Sequence, residues 1–187
     1  QVLSEGDPLT PSEVRALQGD NLDLRATDLK DLIVDLLKST GDADSLRAAE
    51  ILAGWNCRYE GQSAGPAVWS SLWSRLVNST GNALLGATAA DLMADSAGSI
   101  LRSFITGEEN PEEFGLNLED ILVAAASGAV AYLRKTFGSD DSRWAWENSH
   151  QVTLVHPFAT TNALKELFNL GPFPCPGGGG TVNNRRP

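Results

Sequence analysis

Thr27-Asp28-Leu29-Lys30-Asp31-Leu32-Ile33-Val34-Asp35-Leu36-Leu37-Lys38 decides the class of fold. Leu29, Leu32, Ile33, Leu36 and Leu37 recur at helical spacing, and Asp28, Lys30, Asp31, Asp35 and Lys38 fill the other face. Gly41 supplies the stop. The stretch predicts an amphipathic helix whose apolar stripe packs on other helices.

Towards the N-terminus, Thr10-Pro11-Ser12-Glu13 combines an N-cap Thr, Pro at the first helical position and Glu at the capping-box position. Gly19 ends that helix. Beyond the deciding stretch, Asp42 or Asp44 starts a helix carrying Leu46, Ala49 and Ala53 and running towards Trp55, and Trp55 to Gly65 reads as a loop. Val68, Trp69, Leu72, Trp73, Leu76 and Val77 form a broad apolar stripe, expected to be core, which Asn78 to Gly81 should break. Thr88, with Asp91 three residues on, opens a helix burying Met93, Ala97, Ile100, Leu101 and Phe104. Glu108 to Gly115 reads as a polar loop around Pro111. Asn117, with Asp120 three on, caps a helix burying Leu118, Ile121, Leu122, Ala125, Ala129, Tyr132 and Leu133. Arg134 and Lys135 suit its last turn, and Gly138 ends it.

After Asp140 the pattern changes. Val152 to Val155 predicts a short strand and Asn162 to Phe168 a short helix. The chain then turns Pro- and Gly-rich from Gly171, and Thr181-Val182 reads as an incipient strand. The fold class is mainly α: one helical domain over 1–187, with helices over 1–138 and a mixed region of short strand, short helix and Gly/Pro-rich tail over 139–187.

The chain has 187 residues, 42% hydrophobic and 20% charged, with a formal net charge of −10. This composition is that of a soluble globular domain. The acidic balance excludes nucleic acid and an anionic membrane as partners, because phosphate binding needs a basic patch. Near an end, only Arg185 and Arg186 are paired basic residues. The apolar stretch between Asp120 and Arg134 is short for a membrane span and reads as a buried helix. The chain begins at Gln1, not Met, so an upstream segment is expected to have been removed or never included.

Few residues offer chemistry. Nucleophilic catalysis needs a nucleophile, a base in hydrogen-bond reach and an oxyanion site. The two histidines are His150 and His156, no G-x-S-x-G elbow is present, and nothing local pairs Cys57 with a histidine. The histidine spacing does not match a one-turn metal pair, and Asp140-Asp141 lacks the EF-hand pattern. Gly177 to Gly180 lacks the Lys-Ser or Lys-Thr of a phosphate loop. Glu108-Glu109 and Glu112-Glu113 read as solvated surface. Trp69 and Trp73, one turn apart, read as core, with a ligand-binding aromatic wall as the alternative. Asn78-Ser79-Thr80 is a glycosylation sequon of a kind that arises by chance. Cys57 and Cys175 read as two free thiols or as one disulfide of an exported protein. No catalytic residue, cofactor or metal ligand is assigned.

Three stretches carry a resemblance. Ala48-Ala49-Glu50-Ile51-Leu52-Ala53-Gly54-Trp55-Asn56-Cys57-Arg58 resembles the penicillin acylase (penicillin amidase) family's segment in which a helix ends in L-x-x-W-D-G-R. Trp144-Ala145-Trp146-Glu147-Asn148-Ser149-His150, followed by Leu154-Val155-His156-Pro157, resembles its W-x-W-G-x-x-H and H-P signature. Phe168-Asn169-Leu170-Gly171-Pro172-Phe173-Pro174, then Gly177 to Gly180 and Thr181-Val182-Asn183, resembles its G-P-x-P-x-G-G-x-x-T-V-N segment. Asp20 and the helix after it resemble its Q-x-D stretch. Asn56, Cys57 and Glu147 depart from the usual Asp, Gly and Gly.

The resemblance implies the helical part of the larger chain of an α/β N-terminal-nucleophile hydrolase. In that family a precursor cleaves itself, and the new N-terminal Ser attacks an amide carbonyl with its own α-amino group as base. The Ser, an oxyanion Asn and a nearby Arg precede the region matched here in family order, and the calcium ligands lie outside it. Gln1 cannot replace the Ser. The resemblance therefore implies an inert chain whose partners are the catalytic core and smaller chain of the parent acylase, in a periplasmic or secreted setting. Penicillins, acyl-homoserine lactones and lipopeptides are substrates to be considered. It also implies a tail that, without the parent's strands, is mobile or pairs with another copy. The rival readings are an autonomous helical binding module and a degenerate acylase homologue. The upstream gene sequence separates them.

Overall fold

The computed structural model describes residues 8–86 and 94–184. Helix α1 (Pro11–Gln18) has the full capping box: Glu13 N–H donates to Thr10 Oγ1, and Glu13 accepts from Thr10 N–H. Helix α2 (Leu24–Ser39) is capped by Asp23, whose carboxylate accepts from Ala26 N–H, and it buries Ala26, Leu29, Ile33, Val34 and Leu37. Leu32 and Leu36 flank the stripe, with Leu32 exposed.

Helix α3 (Ala43–Ala53) starts after Asp42, which accepts from Ser45 N–H. Its buried face is Ala48, Ala49 and Leu52, so Leu46 and Ala53 face solvent, contrary to the face expected from sequence. Helix α4 (Gly65–Leu85) runs straight through the break expected at Asn78 to Gly81. Thr80 and Gly81 continue the buried stripe one turn beyond Leu76 and Val77, and tertiary packing outweighs their weak helix preference. The sequon therefore lies inside a helix with Thr80 buried.

Helix α5 (Ala94–Thr106) buries Ala97, Leu101, Phe104 and Ile105. The expected cap at Thr88 and Asp91, and Met93, lie outside the described residues, as do Gln1, Arg185 and Arg186. The polar loop around Pro111 tightens into a 3₁₀ turn, Pro111–Phe114, capped by Asn110. Helix α6 (Leu118–Phe137) is capped by Asn117 and stopped at Gly138. It buries Leu122, Ala125, Ala129 and Leu133, but Tyr132 is exposed, with the Arg75 guanidinium 5.5 Å above its ring.

Helix α4 is the axis of the body. It packs on α5 and α6, while α3 bridges α2 and α6. Trp69, Leu72 and Leu76 sit in the shared core; Trp73 is only half-buried, because it stacks on Trp69 at the margin.

The remaining chain is short elements: a 3₁₀ turn at Asp141–Trp144, α7 (Trp146–Ser149), β1 (Gln151–Leu154), α8 (Asn162–Phe168) and β2 (Leu170–Pro174). Strand β2 was not expected, since Gly171, Pro172 and Pro174 argue against a strand. It is tolerated because the sheet has two strands only, so β2 needs no donors on its outer side. Thr181-Val182 is no strand; it belongs to a compact turn. Among the described residues no helix is long and apolar enough to cross a membrane.

Candidate functional site

Three stretches far apart in sequence meet around the segment that carries Tyr59. The first is the turn before α2. Asp23 N–H donates to Cys57 C=O at 2.9 Å, Tyr59 N–H to Asn21 C=O at 2.9 Å, and Leu22 forms an antiparallel bridge with Arg58. Arg58 reaches back to Asp20 at 3.2 Å and to Asn21 Oδ1 at 2.9 Å.

Cys57 makes this turn with φ at 61°, in the left-handed region that glycine adopts without strain. That is a physical reason for a Gly at this position in the sequence pattern it resembles. Cys57 and Cys175 are both free and buried. Burial raises the Cys57 thiol above its ordinary range, so it stays a thiol rather than an attacking thiolate.

Trp146 brings in the second stretch. Its ring meets Tyr59 edge-on with centroids 5.0 Å apart, and its backbone N–H donates to Ser63 C=O. Glu147 N–H donates to Gly61 C=O, and its carboxylate accepts from Gln62. Trp146 Nε1–H then donates to Gly177 C=O at 2.9 Å, which draws in the third stretch. His150 stacks on Trp146, and its Nδ1 lies 2.9 Å from Cys175 C=O. A carbonyl only accepts, so Nδ1 carries the proton. His156 is exposed and lies against Phe158 and Phe168, so the two histidines are not brought together.

The glycine run closes the clasp by close approach. A Cβ on Gly178 would fall 2.5 Å from the Tyr59 ring, and one on Gly180 would fall 2.1 Å from Asp23 Oδ2. Thr181 Oγ1 accepts from Gly178 N–H, and Asn183 N–H donates to Asp20 C=O at 2.9 Å. Thr181 and Asn183 are buried. The tail expected to be mobile or swapped is instead folded back onto the turn before α2.

Asp23 is the buried carboxyl group of the cluster. Oδ1 accepts from Ala26 N–H at 3.0 Å; Oδ2 accepts from Trp69 Nε1–H at 3.2 Å and Tyr59 O–H at 3.3 Å. Tyr59 also touches Ser70 Oγ at 3.0 Å. Burial pushes the Tyr59 hydroxyl far above its ordinary range, so it remains a donor. Asp23, Tyr59, Trp69 and Ser70 were not singled out together from sequence. The one available signal was Asp23 three residues before the buried Ala26, an N-cap position.

Chemically, the cluster is self-satisfied. Asp23 spends its acceptors on protein donors, and His150 spends one nitrogen on a backbone carbonyl. Among the described residues no group of His, Cys, Asp and Glu could hold a metal ion. Glu112 and Glu113 are exposed in the turn after Asn110, with Glu108 and Glu109 exposed beside it. Two shallow hollows flank the stacked pair Trp69 and Trp73. One, of about 350 Å³, lies over Tyr59, Ser70 and Gly180; the other, of about 480 Å³, lies between Arg25, Trp73 and Arg102. Arg25, 4.8 Å over the Trp73 ring, lines both.

The family model described as penicillin amidase matches residues 1–187, the whole chain. No curated protein matches it.

Proposed function

The chain belongs to the penicillin amidase family, and from that premise we propose that it is the helical, structural part of an amidohydrolase that cleaves an N-acyl amide bond. The supporting observation is the clasp around Tyr59. The stretches that carry the family resemblance, Trp55 to Arg58, Trp144 to His150 and Gly177 to Asn183, are joined there by backbone hydrogen bonds and close glycine contacts. The His150 ring and the Trp146 indole N–H of these stretches are engaged in holding that junction. The nucleophile and the oxyanion donors of the reaction are then supplied by the catalytic core and smaller chain of the parent enzyme. A periplasmic or secreted setting belongs to the same proposal.

The test is hydrolysis of phenylacetyl and fatty-acyl amide reporters. The 187-residue chain alone should give no turnover above background, and co-production with the rest of the parent enzyme should give turnover. Turnover by the repurified chain alone that disappears in Cys57→Ala or His150→Ala overturns the reading.

A further inference from the structure

Trp69 and Trp73 are stacked, with ring centroids 5.7 Å apart, and Trp73 is only half-buried. The sequence alternative of a ligand-binding aromatic wall is therefore open at Trp73. A charged group stands beside it. Arg25, on α2, lies 4.8 Å over the Trp73 ring. Its expected partner is Asp28, one turn along the same helix. Asp28 instead pairs with the Arg102 guanidinium at 3.2 Å. Among the described residues Arg25 meets no carboxylate and donates no hydrogen bond. With 24 Asp and Glu against 14 Lys and Arg in the chain, acidic partners are in excess, so an arginine without one calls for a reason. The contact with Trp73 holds the guanidinium in place while leaving its N–H donors unoccupied.

Further donors line the hollow of about 350 Å³ on this side of Trp73. Ser74 contributes a hydroxyl that has no protein partner among the described residues. Gly179 and Gly180 contribute main chain, and among the described residues neither backbone N–H has an acceptor. A hollow lined by donors that lack acceptors suits an anion.

Charge and shape narrow the ligand. Arg25 is the single cationic residue of this lining, and its planar fork matches a carboxylate through two parallel N–H···O bonds. A phosphate dianion finds no second cation here. It would also approach the Asp23 carboxyl, which lies so close behind Gly180 that an added Cβ would fall 2.1 Å from Oδ2. Polyanions are disfavoured further by the net charge of −10. The Trp73 ring and the bare glycine main chain favour a flat body, and the volume is near the lower end of the range of about 300–1,000 Å³ for ligand sites.

We propose that the hollow between Trp73 and the glycine run binds a small planar monocarboxylate, with its carboxylate on the Arg25 guanidinium and its flat body against Trp73. Binding there needs no nucleophile and no turnover, so it stands or falls separately from the amidohydrolase reading.

The test uses the 187-residue chain with naphthoate as the probe, read by calorimetry and by amide NMR shifts. Saturable one-to-one binding is expected, with shifts at Gly179 and Gly180. Arg25→Gln should weaken it by at least about tenfold, and Arg25→Lys, which keeps the charge and loses the fork, by at least about threefold. Naphthalenemethanol, the uncharged counterpart of the probe, should bind at least about tenfold more weakly to the unaltered chain, a comparison that needs no variant to fold. Arg75→Gln, at the guanidinium over Tyr132, should leave the affinity unchanged. No saturable binding at millimolar naphthoate, unchanged affinity in both Arg25 variants, equal affinity for naphthalenemethanol or for inorganic phosphate, or shifts centred on Tyr132 instead of the glycines, overturns the proposal.

Discussion

The helical body between Leu24 and Phe137 and the hairpin between Gln151 and Pro174 use similar side chains to opposite ends. In the body, the buried Leu, Ile, Val and Trp side chains lie on helix faces that meet one another: α2 against α3, α4 against α5 and α6. In the hairpin, all five residues of β2 are exposed, and so are Leu154 and Val155. Apolar content alone does not place a residue inside. It needs an opposing layer, and the hairpin's own layer is too small to provide one. The clasp around Tyr59 lies between the two regimes and fixes the base of the hairpin through His150 and Cys175.

The comparison breaks most visibly at Trp69. It is almost fully buried and donates to Asp23. Trp69→Ala should cost about 3–5 kcal/mol through lost burial and a cavity, read as the shift of the urea midpoint. A midpoint close to that of the parent chain would mean the body is not the stable half.

Gly180→Ala probes the clasp. Its methyl group must displace Asp23 or the glycine turn, a cost of about 1–3 kcal/mol in a packed site. Gly179→Ala is the control, because nothing lies within 4 Å of its added carbon. Equal thermal midpoints for the two variants would show that the glycine run is not packed on the body.

Tyr59→Phe removes one donor to Asp23 and should cost about 1–2 kcal/mol. The pH dependence has a definite sign. The folded-state pKa of Tyr59 is raised by burial, so the folded protein holds this proton where the unfolded chain has lost it. Its contribution is complete below about pH 10, the ordinary tyrosine value, and falls as pH rises above it. Urea midpoints compared at pH 8 and above 10 should therefore show a smaller alkaline loss in Tyr59→Phe than in the parent chain. The smallest effect is expected at the hairpin. Leu154→Lys in the isolated chain should change stability by no more than about 0.5 kcal/mol, because the side chain has little to lose. A larger drop in the thermal midpoint would mean the hairpin contributes to the core.

The helices at Thr10 and Asn117 were legible from their caps, whereas after Asp42, with Asp44 as the alternative start, the helix was legible but its buried face was not. Helix α8 spans Asn162–Phe168, the residues read from sequence. Periodicity failed where packing outweighed local preference: Asn78 to Gly81 did not stop α4, and Tyr132 turned outward beneath Arg75. Strand β2 was hidden because its prolines are compatible only with an outer edge, which no local pattern announces. The clasp was half legible. Its stretches were recognisable one by one, but their meeting at Tyr59 is set by long-range contacts such as Trp146 to Gly177. Asp23 was hidden in the same way, since two of its three donors come from Tyr59 and Trp69.

The most direct test of the clasp as the closure of the helical body is native-state hydrogen exchange on the isolated monomeric chain. The Asn183 amide, which donates to Asp20 C=O, should exchange as slowly as amides of α2 and α4, and Tyr59→Phe should speed it together with them. Exchange at Asn183 as fast as at exposed Val155, while α2 and α4 stay protected, would contradict the account.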